Sequence, residues 1–232
     1  MSRFLLLAAV VLILSGCVWS RLLDWKGQLK EFDRYVTVVD IGPELVLQFK
    51  KPCIRPGDIG YLFGSETPSK RTERDSGGIY ASWILRRDRA DSIGLDLALG
   101  AADGEDDTLA DSLRIPSQVL AFIPKQRLLA TVRAFGSAEI DRDKRQAAAG
   151  LTGADAQPIS PGRAVVVAAL GEPDVSEMIG DVERMTFTFK LVKPDGTLGK
   201  STDLIIDLRG DLLVAARLKA PNFNAWMEFD KK

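Results

Sequence analysis

Fold class turns on residues 160–218, where SPGRAVVVAALGEP (160–173) is followed by MTFTFKLV (185–192), DLIIDL (203–208) and LLVAARL (212–218). In the first segment Ser160 stands at the N-cap, Pro161 at the first helical position, and Gly171 with Pro173 at the stop, which predicts a helix over 161–170. In the second, Met185, Phe187, Phe189 and Leu191 alternate with Thr186, Thr188 and Lys190, the period of a half-buried strand. The last two segments read as strands joined through Gly210-Asp211, a short hairpin connection. A helix on one face of an antiparallel meander whose other face is solvated is an α+β arrangement.

A similar order recurs upstream. Ile54-x-Pro56-Gly57 matches Ile159-x-Pro161-Gly162, and Leu113-x-x-Pro116 matches Leu218-x-x-Pro221, both at an offset of 105. Such small motifs also match by chance, yet between them each copy reads short helix, polar loop, then antiparallel strands, which favours two similar α+β lobes. Strands are expected over 36–41 and 45–49 around Gly42-Pro43. A short helix should follow from Pro56 to Phe63, then a loop over 65–78 and strands over 79–86 and 93–99. A third strand ends near Ile115, and Pro124 opens a helix that Gly136 closes.

The N-terminus has a separate logic. After Arg3, an apolar run from Phe4 to Leu14 leads to Ser15, Gly16 and Cys17, the layout of a secretory signal. Its 11 residues make a helix of about 16 Å, short of the roughly 30 Å bilayer core. Leu14-Ser15-Gly16-Cys17 resembles the lipobox of bacterial lipoproteins. That resemblance implies cleavage between Gly16 and Cys17, a diacylglyceryl thioether on Cys17 and anchoring to the membrane of the cell envelope; Val18 after the cysteine points to the outer membrane, facing the periplasm. Stable attachment takes more than one acyl chain, which a lipidated cysteine supplies.

Beyond Cys17, the residues Val18, Leu22, Trp25, Leu29 and Phe32 share one helical face, which packs on the first lobe, lies in the membrane interface or meets a partner helix. The chain thus divides into a signal segment 1–16, a lipidated N-terminus with amphipathic helix 17–34, an N-terminal lobe 35–136, a linker 137–158 and a C-terminal lobe 159–232. Cys53 is left without a partner because a lipidated sulfur cannot pair, and a lone cysteine beside an apolar strand is expected to be a small buried hydrophobe.

Composition narrows function by exclusion. The 232 residues carry 31 basic and 32 acidic side chains and no histidine. The near-neutral balance argues against nucleic-acid binding, which relies on a positive excess. Without histidine, the usual general base and the Ser-His and Cys-His nucleophile pairs are missing. The run Pro194-Asp195-Gly196-Thr197-Leu198-Gly199-Lys200-Ser201 lacks the first glycine of a phosphate-binding loop and precedes a strand rather than a helix, so it is expected to be a turn. Arg209-Gly210-Asp211 reads as a hairpin turn, Asp103–Asp107 as an acidic loop tip rather than a calcium site, and Arg86-Arg87-Asp88-Arg89 as a solvated turn. No catalytic residue, cofactor or metal ligand is assigned.

The stretch VVVAALGEP (165–173) with the three strands to Leu218 resembles the small outer-membrane lipoproteins of the SmpA/OmlA type, which assist barrel assembly. That resemblance implies a helix ending in Leu-Gly-x-Pro before an antiparallel sheet and carries over no residue except the lipobox cysteine. Where that family has a Gly-Met-Ser/Thr type of helix lead, this chain has Ile159-Ser160-Pro161-Gly162. The expected function is a tethered, non-catalytic binding or assembly module whose partner is another envelope component met through a sheet edge or exposed face. The alternatives are a carboxylate-based hydrolase of cell-wall or polysaccharide substrates, or a carrier of lipid or a small ligand.

Overall fold

The computed structural model describes residues 18–75, 77–88, 94–102, 108–141, 143–151 and 159–229. Helix α1 covers residues 18–30 and the single turn α2 Phe32–Tyr35. They lead into the hairpin β1 (Val36–Ile41) and β2 (Glu44–Phe49), turned through Gly42 at φ +57°. Next come α3 (Pro56–Leu62), β3 (Lys70–Glu73), β4 (Ile79–Arg86), β5 (Gly94–Ala101) and β6 (Ala110–Ile115). Two helices follow, α4 (Ser117–Phe122) and α5 (Lys125–Gly136), then β7 (Glu139–Asp141) and β8 (Gln146–Gly150). The chain closes with α6 (Gly162–Leu170), β9 (Val175–Ile179), β10 (Val182–Val192), β11 (Leu198–Arg209), β12 (Leu212–Ala220) and β13 (Phe223–Glu228).

The strands form one sheet in the order β1-β2-β6-β5-β4-β10-β11-β12-β13-β8-β7, with β3 added to β4 and β9 added to β10. Every pairing is antiparallel except β13 with β8. The α+β class is therefore observed, with the sheet dominant. The alternation read in MTFTFKLV has its expected result: Met185, Phe187, Phe189 and Leu191 are buried, while Thr186, Thr188 and Lys190 are partly exposed. Val166 and Leu170 of α6 are fully buried in the same core. In the N-terminal half, Leu45, Leu47, Trp83 and Leu99 are fully buried, each side chain contributing about 1.5–3 kcal/mol by leaving water.

Strand registers relate the two halves of the sheet. β5 and β6 pair Ala98 with Arg114, and β11 and β12 pair Asp203 with Lys219, an offset of 105 in both strands. Both pairs also contain a bulge, at Gly100/Ala101 and Asp207/Leu208. The halves meet where Leu85 pairs with Leu191 and Arg86 with Lys190. Adding 105 to Leu85 and Arg86 reaches Lys190 and Leu191, so the two pairs exchange and the junction has a local two-fold relation. The flanking contacts obey it as well. Ser69 Oγ donates to the Val192 carbonyl, and Arg87 Nη2 lies 2.9 Å from Asp174 Oδ2, with 69 matching 174 and 87 matching 192.

Five sequence expectations change. Pro161 is the N-cap of α6 and Gly162 its first residue, one position later than Ser160 and Pro161 suggested. Gly162 has φ +65°, which glycine tolerates, and donates its N–H to the Asp211 carbonyl at 3.2 Å. The loop expected over 65–78 contains β3, hidden because Lys70-Arg71-Thr72-Glu73 has no apolar alternation. Residues 139–150, read as part of a linker with strand or helix left open, supply β7 and β8, whose alanine-rich QAAAG carries no strand signature. Strands β9 and β13 and helix α4 were not anticipated. Arg87, expected in a solvated turn, is 3% exposed and donates from Nη1 to the Leu170 carbonyl at 2.9 Å.

Candidate functional site

Gly16 and Cys17 of the lipobox, the start of the strand expected from Ile93, and the acidic stretch Asp103–Asp107 lie outside the described residues. Helix α1 is described from Val18 onward. Its apolar stripe turns inward: Leu22, Leu29 and the following Phe32 are buried, and Trp25 meets Phe49 edge to face at 6.1 Å. Arg21 fixes the first turns to α3, donating from Nε to Asp58 Oδ2 at 2.7 Å and from Nη2 to Oδ1 at 2.5 Å. Asp58 is 2% exposed and also accepts the Arg55 backbone N–H at 2.8 Å, so one carboxylate ties α1 to the N-terminus of α3. At the far end Gly136 of α5 abuts α1, where an added Cβ would lie 2.2 Å from the Lys30 nitrogen.

A cleft of about 270 Å³ opens beside this clamp. Val18, Arg21, Arg55, Glu66, Arg71 and Trp83 are among its lining residues. Trp83 donates Nε1–H to the Ser65 carbonyl at 2.9 Å across Gly60, where a Cβ would lie 2.3 Å from both partners. The basic groups stand on α1, the α3 lead and β3. None of these three arginines was picked out by sequence reasoning, because they come from segments far apart in the chain.

The second feature is the pair of added edge strands. β3 and β9 occupy related places, each hydrogen-bonded on one side to the strand that forms the junction. All of their residues are exposed. They differ in chemistry: β3 carries Lys70, Arg71 and Glu73, whereas β9 presents Val175, Met178 and Ile179, exposed by 55%, 66% and 47%. Charged side chains on an edge discourage strand addition, and apolar ones invite it. Among the described residues β9 pairs only with β10. Glu183 beside it accepts from Ser176 Oγ at 2.7 Å and Arg163 Nε at 3.1 Å, and these bonds, led by Ser176, hold its carboxyl below the usual range.

The remaining sequence candidates have structural roles. Asp195 and Gly196 form the β10–β11 turn, with Gly196 at φ +82° and Thr197 donating from N and Oγ1 to Asp195 Oδ1. Gly210, at φ +59°, turns β11 into β12, and Arg209 pairs with Asp181 at 2.8 Å. Cys53 is a free, half-buried thiol, and burial, aided by Asp24 and Asp58, pushes its pKa up to about 11. The two buried carboxylates among the described residues, Asp58 and Asp207, both meet guanidinium groups. Asp207 accepts from Arg184 at 2.8 and 3.0 Å and pairs with Arg217 at 2.8 Å. No cluster of metal-ligating side chains occurs among the described residues. No helix among them is long and apolar enough to cross a membrane.

No family model, curated protein or solved structure matches this chain.

Proposed function

We propose that the protein is a lipid-anchored component of the bacterial cell envelope, held by Cys17 at the outer membrane on its periplasmic side, and that it works as a non-catalytic binding or assembly module. The observation that carries the binding role is the contrast between the two edge strands. β9 offers an open row of backbone donors and acceptors flanked by Val175, Met178 and Ile179, at a place where β3 is charged. An extended segment of another envelope protein adding alongside β9 would take its affinity from main-chain hydrogen bonds and its specificity from alternate side chains. The lipobox supports the anchor, and the likeness of residues 165–173 to SmpA/OmlA-type lipoproteins supports an assembly role.

Two experiments test this. Cys17→Ala should abolish acyl labelling and release the protein from membranes; a wild type that carries no lipid refutes the anchor. A photo-crosslinker placed at Met178 in native membranes should capture one stoichiometric envelope protein, and Val175→Lys with Ile179→Lys should abolish that capture while the fold persists. Recovery of the protein alone refutes the module.

A further inference from the structure

Strand β9 belongs to an acidic hairpin. Residues 172–183 carry five carboxylates, Glu172, Asp174, Glu177, Asp181 and Glu183, and no lysine or arginine. Four of the five meet guanidinium groups brought by other elements: Glu172 and Glu183 pair with Arg163 of α6 at 3.3 and 3.1 Å, Asp174 with Arg87 at 2.9 Å, and Asp181 with Arg209 at the end of β11 at 2.8 Å. Glu177 is the fifth, and among the described residues it forms no ion pair. The strand registers give the reason. Glu177 stands opposite Arg184 on β10, and Arg184 opposite Asp207 on β11, so charge alternates across three neighbouring strands. Arg184 turns away from the edge, giving Nε and Nη2 to Asp207 at 2.8 and 3.0 Å. The row therefore ends on an exposed carboxylate at the open side of β9. Successive side chains of a strand alternate faces, so Val175 and Ile179, both exposed, flank Glu177 on that face.

We propose that the segment that adds to β9 presents a lysine or arginine opposite Glu177, with apolar residues two positions to either side lying against Val175 and Ile179. The proposal rests on the edge-strand reading of the binding role and gives its partner a chemistry. A basic residue there continues the alternation into a fourth strand, and opposite charges facing each other across a strand pair stabilise it, whereas like charges oppose it. A second copy of this chain is the wrong occupant: antiparallel pairing of β9 with itself over its five residues sets Glu177 against Glu177. The carboxylate that turns away the protein's own copy thus selects a cationic strand.

The test uses the full chain and two nine-residue peptides of alternating valine and threonine, with valine at the odd positions except the central one, which is lysine in one peptide and glutamate in the other. Hydrogen exchange of segment 175–179 locates the binding, and fluorescence anisotropy of the labelled peptides gives each Kd. The lysine peptide should slow exchange of 175–179 and bind about 2- to 30-fold more tightly than the glutamate peptide, a gap that narrows at high salt. Glu177→Lys, at an exposed strand position, should reverse the order of the two peptides. Slower exchange at β9 with equal affinity for both peptides overturns the cationic partner alone and leaves β9 as a docking edge. No protection of β9 by either peptide at millimolar concentration overturns the edge reading and this inference together. Protection of 175–179 that grows with protein concentration in the absence of peptide assigns the edge to a second copy and overturns the cationic partner.

Discussion

Arg87 joins the two halves of the sheet from a buried position. It is 3% exposed, donates to the Leu170 carbonyl at 2.9 Å, pairs with Asp174 at 2.9 Å and lies 5.4 Å over the Phe187 ring. In Arg87→Met the volume is roughly kept, but the last carbonyl of α6 loses its buried donor and Asp174 its counter-charge. An unsatisfied buried acceptor costs about 1–3 kcal/mol, and losing the pair with Asp174, whose carboxylate is solvent-exposed, adds about 1 kcal/mol or less. Unfolding in urea followed by circular dichroism should show it: at a slope of about 2–3 kcal/mol/M the midpoint falls by about 0.5–1.5 M. Arg87→Lys keeps the charge without the fork and should fall between the two. Lys190→Met, which removes the exposed pair with Asp88 at the same junction, should cost less than about 1 kcal/mol. If Arg87→Met lies within about 1 kcal/mol of the wild type, the inter-lobe role argued for this side chain is wrong.

Gly60→Ala places a Cβ against both Ser65 and Trp83 and should destabilise by about 1–3 kcal/mol in thermal unfolding, whereas Gly27→Ala, with nothing within 4 Å, should not. Because the Cys53 pKa is raised to about 11 from 9.0, the folded thiol should resist alkylation at pH 8 relative to the unfolded chain. The sign follows: a raised acid pKa contributes stability below about 9 that is lost as pH climbs toward 11. Glu183 is the opposite case, its lowered pKa stabilising the fold above its ordinary value and losing that effect as pH falls. Ser176→Ala should raise the Glu183 pKa in a carboxyl NMR titration, and an unmoved pKa would contradict the hydrogen bond.

How much of this was legible follows from which patterns side chains can display. Helix α6 and strands β10, β11 and β12 announce themselves because one face of each is apolar and the other polar. α5 was legible for the same reason, down to its last residue, Gly136. β3 was hidden because an exposed edge buries neither face, and β8 because alanine carries little contrast. β9 escaped notice because its valine, methionine and isoleucine are exposed rather than buried, the reverse of what the alternation rule assumes. Arg87 could not be placed from sequence: its partners Leu170 and Asp174 belong to the other lobe, and only the fold brings them together. The 105-residue offset was visible in four short motifs, but the strand registers are what give it physical content.

The residues at the junction have one more consequence. Related positions there hold different chemistry: Ser69 faces Val192 on one side, and Asp174 faces Arg87 on the other. Two copies of the N-terminal lobe placed about the same axis would set serine against arginine twice, leaving each guanidinium without a carboxylate. Two copies of the C-terminal lobe would set aspartate against a valine carbonyl, acceptor against acceptor. Neither half can complete itself with its own duplicate, so the contact is one that only unlike halves of a chain can make.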